Sequence, residues 1–146
     1  MIKRLLTIYF YQVWNKREFR LLPFLFADRC KVNYINKCEG SSIIWRPDDI
    51  KQNIENCHQV VPDLKISIVN LICDKQYVTA HFTLEGMHSG EWRDAQRNGK
   101  YNSIEMVEMF RIEGGKICEQ WMVSDMNEIL KQIITPEKNS FASQLL

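Results

Sequence analysis

The sequence predicts an α+β domain in which a curved antiparallel sheet wraps around N-terminal helices and leaves a pocket between the two layers. Three observations carry that expectation: a helical apolar period near the N-terminus, a second one after Arg46-Pro47, and a change to a twofold period from Leu64 onward. Helices followed by strands gather on one face of a sheet. The space left between such layers is a common seat for a small ligand.

Leu6, Tyr9, Phe10 and Val13 recur at i, i+3, i+4 and i+7, with Ile2 a turn earlier, so residues 1–15 read as an amphipathic helix. Asn15 to Glu18 is a polar break. Phe19 to Phe26 reads as a second short helix, with Pro23 in its first turn or at a kink. Cys30, Val32 and Tyr34 alternate as a short strand. Arg46-Pro47-Asp48-Asp49 starts a helix, because proline suits the first helical position and acids favour the positive end of the dipole. Ile50, Ile54, Cys57 and Val61 continue it on one face until Pro62. Leu64, Ile66 and Ile68 then share one side of a strand, Asp74-Lys75 is the turn, and Val78, Ala80, Phe82 and Leu84 form the inward side of the next strand. Ile104 to Ile112 is a third long strand. Glu113-Gly114-Gly115-Lys116 is a tight hairpin, since glycines supply the positive φ it requires, and Ile117 to Ser124 returns as the partner. A last helix starts near Asp125 and carries Ile129, Leu130 and Ile133 before Pro136. The domain is therefore residues 1–136, with 137–146 a loose C-terminal tail.

A chain of 146 residues fits one domain. Nineteen Lys and Arg against eighteen Asp and Glu leave a charge of +1, so no general field collects nucleic acid or an anionic membrane. Cys30, Cys38, Cys57, Cys73 and Cys118 are odd in number and form no C-x-x-C pair, which argues against a disulfide framework and a zinc site. A reducing, cytoplasmic location is expected. Lys3 and Arg4 precede an apolar stretch, but Gln12, Asn15 and Lys16 interrupt it and no small-residue cleavage site follows. No run approaches the roughly eighteen apolar residues of a membrane helix.

Strand parity selects the polar residues that face the pocket. His88 shares the side of Val78 to Leu84 and lies between Gly86 and Gly90, where a bulge would reverse its direction. Glu108 shares the side of Ile104, Met106, Phe110 and Ile112. Glu119, Trp121 and Asp125 share parity with Ile117. The expected constellation is His88, Glu108, Glu119, Trp121 and Asp125, with Phe82 and Met106 among the walls. A carboxylate in an apolar cavity becomes a usable acid or base near neutral pH, and an imidazole is already poised there. Each residue also has a plainer reading. Asp125 has Glu128 at capping-box spacing and can be a helix cap, a base or both. His88 can be a hydrogen-bonded half-buried histidine, Glu108 and Glu119 paired or rim acids, and Trp121 core. There is no Gly-rich phosphate loop, G-x-S-x-G or H-E-x-x-H. His58 has no second ligand at metal spacing. Lys16-Arg17 with Arg20, and Arg93, Arg97 with Lys100, read as solvated basic faces.

Val78 to Phe82, Gly86-Met87-His88-Ser89-Gly90, Gly99-Lys100, Phe110-Arg111, Gly115-Lys116-Ile117, Glu119 to Trp121 and Asp125-Met126, in that order, resemble the SnoaL-like polyketide cyclases of the nuclear transport factor 2-like superfamily. Tyr11 to Asn15, Phe26-Ala27-Asp28 and Pro62-Asp63-Leu64 are similar to that family's first helices and helix-to-strand junction. The resemblance implies a cone-shaped pocket, commonly in a homodimer, and a small hydrophobic carbonyl substrate. It implies an aldol closure or isomerisation that needs no cofactor and no metal. The family aspartate after the tryptophan-bearing strand matches Asp125, the histidine between two glycines matches His88, and Tyr34 is the possible counterpart of another pocket residue. Two departures stand out: Arg93 to Gly99 replaces a proline-rich loop, and Gln120 occupies a position that is usually histidine. A dimeric small-molecule-binding module without chemistry is the alternative on the same fold.

Overall fold

An apolar stripe on each helix and an apolar face on the strands can only be buried against one another, and the chain resolves this as helices laid on one side of a sheet. The computed structural model describes residues 1–35, 41–87 and 101–123. Helix α1 (Ile2–Ile8) runs into a π-helical stretch (Tyr9–Asn15). A 3₁₀ turn (Phe19–Leu21) and helix α2 (Leu22–Leu25) follow, with Pro23 in the first turn, where its missing N–H costs no helical bond. Strands β1 (Phe26–Tyr34) and β2 (Ser42–Trp45) precede helix α3 (Pro47–Val60). Strands β3 (Lys65–Asp74), β4 (Tyr77–Met87), β5 (Tyr101–Glu113) and β6 (Lys116–Met122) complete the described elements. No helix among the described residues is long and apolar enough to cross a membrane. The expected last helix and the 137–146 tail lie outside the described residues.

The apolar stripes are where the periods put them. Leu6, Tyr9, Phe10 and Val13 are buried, and the wider π turn brings Trp14 in beside them. In α3 the Arg46 N–H donates to Asp49 Oδ2 at 2.8 Å, closing the first turn, and Ile50, Ile54 and Cys57 are buried. Inward residues of β4 and β5 meet the π-helical stretch: the Phe10 ring lies 4.8 Å from Phe82 and 6.1 Å from Phe110. Tyr9 meets Phe26 edge-on at 4.8 Å. Gly114 and Gly115 have φ of 59° and 76°, the conformation for which the hairpin needs glycine. The β3–β4 turn falls one residue later than expected, on Lys75-Gln76, because Asp74 pairs with Tyr77.

Two features correct the sequence-based expectation. The sheet is mixed: the order is β2-β1-β6-β5-β4-β3, and β1 runs parallel to β6 while its other neighbour, β2, is antiparallel. A parallel pair needs a long crossover, which the chain between β1 and β6 supplies. Second, Arg111 pairs with Glu119 while Ile112 pairs with Ile117, so Cys118 is an extra residue in β6. This bulge inverts the alternation. Ile117, Gln120 and Met122 face the helices, whereas Glu119 and Trp121, expected inward, face away.

That outer face carries Tyr77, Thr79, His81 and Thr83, as parity predicts, with His81 Nε2 3.1 Å from Glu105 Oε1. Trp121 meets Tyr77 there at 6.1 Å. The far end of β4 passes close to the α3–β3 junction. A Cβ on Gly86 would collide with Val61 Cγ1, and Asp63 Oδ1 accepts the Met87 N–H at 2.9 Å. A glycine is thus what lets the end of β4 pass this junction.

Candidate functional site

Three polar side chains are buried among the described residues: His58, Glu108 and Gln120. Glu108 is inward because it shares parity with Phe110. Gln120 joins it because the bulge at Cys118 turns β6 over. Burial pushes the Glu108 carboxyl up to about 8, against a smaller opposing effect of a hydrogen bond from the Gln120 side chain. Glu108 is therefore an un-ionised acid at neutral pH. The Tyr9 phenol is also raised, by burial and then by Glu108, while a hydrogen bond with the Trp14 indole acts the other way. Tyr9, Trp14, Trp45, Asn53, Glu108, Gln120 and Met122 line a cavity of about 10 Å³, the space of one water.

Of the described residues expected from sequence, Glu108 alone lines this cavity. Tyr34 is buried with Val32 and Met122, with Trp45 packed against them, and so stands behind the cavity wall. Phe82 is fully buried against Phe10 and belongs to the packed core, and half-buried Met106 packs against that core. Glu119, on the outer face, accepts from Arg111 Nε at 3.1 Å and from Asn33 Nδ2 at 3.0 Å, and Arg111 Nη1 reaches Glu113 at 2.8 Å. Trp121 stacks toward Tyr77 on that same face. His88 and Asp125 lie outside the described residues.

Sequence reasoning missed Tyr9, Trp14, Trp45, Asn53, Gln120 and Met122 as lining residues. The signal for Tyr9 was present, since a phenol on an apolar stripe normally finds a polar partner. Asn53 follows Ile50 by three residues, on the flank of the α3 stripe. Gln120 carried one signal, its place where the resembled family usually has histidine, but its inward direction depends on a bulge that no residue type marks.

His58 has a structural role. Its Nε2 donates to the Trp14 carbonyl at 2.7 Å, and its Nδ1 accepts from Arg17 Nη2 at 3.1 Å. Arg17 Nη2 also donates to the Pro62 carbonyl at 3.0 Å, tying the end of α3 to the N-terminal helical segment. Burial draws the His58 imidazole below its ordinary value, so it is neutral in this bridge. A larger hollow of about 520 Å³ opens on the outside beside it. Asn15, Tyr11, Arg17, His58 and Asp63, which line it, are already engaged with the fold. Asn15 bonds the Ile66 backbone in both directions at 2.8 and 2.7 Å, and the Ile68 N–H donates to the Tyr11 hydroxyl at 3.0 Å. Among the described residues no three His, Cys, Asp or Glu side chains converge as a metal site would require.

Comparison with known proteins agrees with the geometry. The family model of SnoaL-like polyketide cyclases matches residues 4–133. Among solved structures, a candidate polyketide cyclase from Acidithiobacillus ferrooxidans is 17% identical, with 92% of this chain and 94% of that one covered and a TM-score of 0.74. IdmH from Streptomyces antibioticus is 18% identical over 91% and 98% of the two chains, with a TM-score of 0.74. A SnoaL-like polyketide cyclase from Agrobacterium tumefaciens is 16% identical over 91% and 98%, with a TM-score of 0.67. A search of curated proteins finds no significant match.

Proposed function

The chain belongs to the SnoaL-like polyketide cyclase family, and from that premise we propose that it performs cofactor-independent acid/base chemistry on a small hydrophobic carbonyl compound. The reaction is an intramolecular aldol closure or an isomerisation. Asp125 takes a proton from the carbon next to a carbonyl, and the C–H electron pair becomes an enolate whose oxygen is hydrogen-bonded by His88. In the closure, the enolate carbon bonds to a second carbonyl carbon of the same molecule, whose oxygen receives the proton back. Product and substrate are isomers, so no oxidant or co-substrate enters.

The observation that most supports this reading is the un-ionised Glu108 among aromatic side chains on the helix-facing side of the sheet. An acid that stays protonated at neutral pH belongs to a site that manages protons. Thermal-shift screening with aromatic and steroid-like ketones identifies a ligand, and turnover of that ligand by Asp125→Asn tests the reading. Asparagine still caps a helix but is no base. Turnover is expected to fall by at least about a hundredfold with melting unchanged. Intact turnover removes Asp125 from the chemistry and leaves it the helix cap, a role asparagine keeps. Ketones that bind and are never converted favour the non-catalytic binding module.

We also propose a homodimer joined through the outer sheet face, where exposed Tyr77 and Val107 lie with Trp121. Light scattering after gel filtration is expected to give twice the 17.3 kDa chain mass. A monomer at micromolar concentration contradicts it.

A further inference from the structure

We propose that Arg17 and His58 form a proton-operated switch, in which the charged imidazole takes over the Pro62 carbonyl and releases the Arg17 guanidinium while the fold stays closed. Arg17 Nη2 donates to His58 Nδ1 at 3.1 Å and to the Pro62 carbonyl at 3.0 Å. His58 is only 5% exposed, and its Nε2 donates to the Trp14 carbonyl at 2.7 Å. Trp14 stands near the end of the π-helical stretch and Pro62 just past the end of α3, where carbonyls lack a helical partner. With Nε2 as the donor, the neutral ring offers Nδ1 as an acceptor, and Arg17 fills it.

A second proton turns Nδ1 from an acceptor into a donor. Arg17 has only donors and a fixed positive charge, so it can neither bond the new N–H nor stay beside it without repulsion. The Pro62 carbonyl lies within hydrogen-bonding reach of His58 as well and favours its charged form. One carbonyl oxygen thus passes from Arg17 to His58. Nε2 keeps the Trp14 carbonyl in both forms, so the tie between α3 and the N-terminal helical segment survives. Arg17 itself is loosened. Its φ of 58° lies in the left-handed region where glycine is usual after a helix, and its two side-chain bonds help to hold it there. Asn15 and Tyr11 retain their bonds to β3, which confines the change to the Lys16–Glu18 connection.

The charged and titratable groups that share the two hollows beside His58 are Tyr11, Lys16 and Arg17 from the N-terminal segment, Glu55 on α3, Asp63 at the α3–β3 junction and Lys65 on β3. Glu55 is drawn to Lys51 at 3.8 Å, and Asp63 Oδ1 holds the Met87 N–H. Arg17 is the charge that bears directly on the imidazole. Burial lowers His58 most and Arg17 lowers it further, against the two carbonyls, so release falls on the acid side of the ordinary 6.5.

The test follows the full-length protein, labelled with ¹⁵N, from about pH 8 down to about pH 4. Long-range ¹H–¹⁵N spectra read the tautomer and charge of His58. The side-chain Nη signals of Arg17, assigned by their loss in Arg17→Met, read whether the guanidinium is held. At the alkaline end the Nε2–H tautomer and separate, slowly rotating Arg17 Nη signals are expected. As His58 charges, those signals should merge along the same titration curve, with far-ultraviolet circular dichroism unchanged. In Arg17→Met the His58 midpoint should move upward by about half a pH unit or more, because an opposing cation is gone. An Nδ1–H tautomer at the alkaline end, or Arg17 signals already merged there, overturns the switch. Signals that stay separate after His58 has charged overturn it, as does loss of the fold in the same step. So does an unchanged His58 midpoint in Arg17→Met.

Discussion

Replacing Glu108 by glutamine is expected to stabilise the protein by ~3–5 kcal/mol near pH 8 and by almost nothing near pH 4. The folded carboxyl titrates at about 8 against an ordinary 4.5. Below the ordinary value both folded and unfolded chains hold the proton, and the acid has no effect on the balance. Between the two values only the unfolded chain ionises, so unfolding releases a proton and becomes easier with each step in pH. Above about 8 both states are ionised and the penalty is constant. Glutamine has no proton to lose and retains the amide–Gln120 neighbourhood, so the variant's advantage should grow across that window. His58 works in the opposite sense. Its folded value is lowered, so the stability it provides is complete above its ordinary value of about 6.5 and is lost as pH falls below it. Urea denaturation of wild type and Glu108→Gln across this range separates the two, since the glutamine variant removes only the loss on the alkaline side.

Phe82→Ala is expected to cost ~3–5 kcal/mol of stability and to lower the melting temperature by on the order of 10 °C. Phe82 is completely buried and its ring stands 4.8 Å from Phe10, where the helical layer is joined to the centre of the sheet. Removal of the ring takes away apolar area and leaves a hole that rigid neighbours on β4 and the π-helical stretch cannot fill. Phe82→Leu should cost clearly less, because it keeps more of the volume. Phe24→Ala provides the control: that ring is 74% exposed, and its loss should change stability by no more than about 0.5 kcal/mol. Equal effects of Phe82→Ala and Phe24→Ala would contradict the packing described above.

These two residues also show what could be read from the chain. Phe82 and Glu108 lie on strands whose twofold alternation runs unbroken through their positions, so their direction followed from counting. The α1 and α3 stripes and the Gly114-Gly115 hairpin were legible for the same reason: each is specified by local residues. Gln120, Glu119 and Trp121 were not legible, because one unmarked extra residue at Cys118 reverses the second half of β6. Strand β2 escaped notice since Ser42, Ile43 and Ile44 are all exposed and so show no alternation. The parallel pairing of β1 with β6 joins segments that are distant in sequence, and neither segment names its partner. The family resemblance placed the chain correctly, through an order of motifs that no single element carries.

The central claim is that the helix-covered face of the sheet holds a carboxylic acid that remains protonated at neutral pH. Carbon-13 NMR of glutamate-labelled protein, with the Glu108 carboxyl assigned by its disappearance in Glu108→Gln, follows that group's titration directly. The structure predicts an inflection near 8, far above the ordinary 4.5. A Glu108 carboxyl that titrates near the ordinary 4.5 would contradict the account.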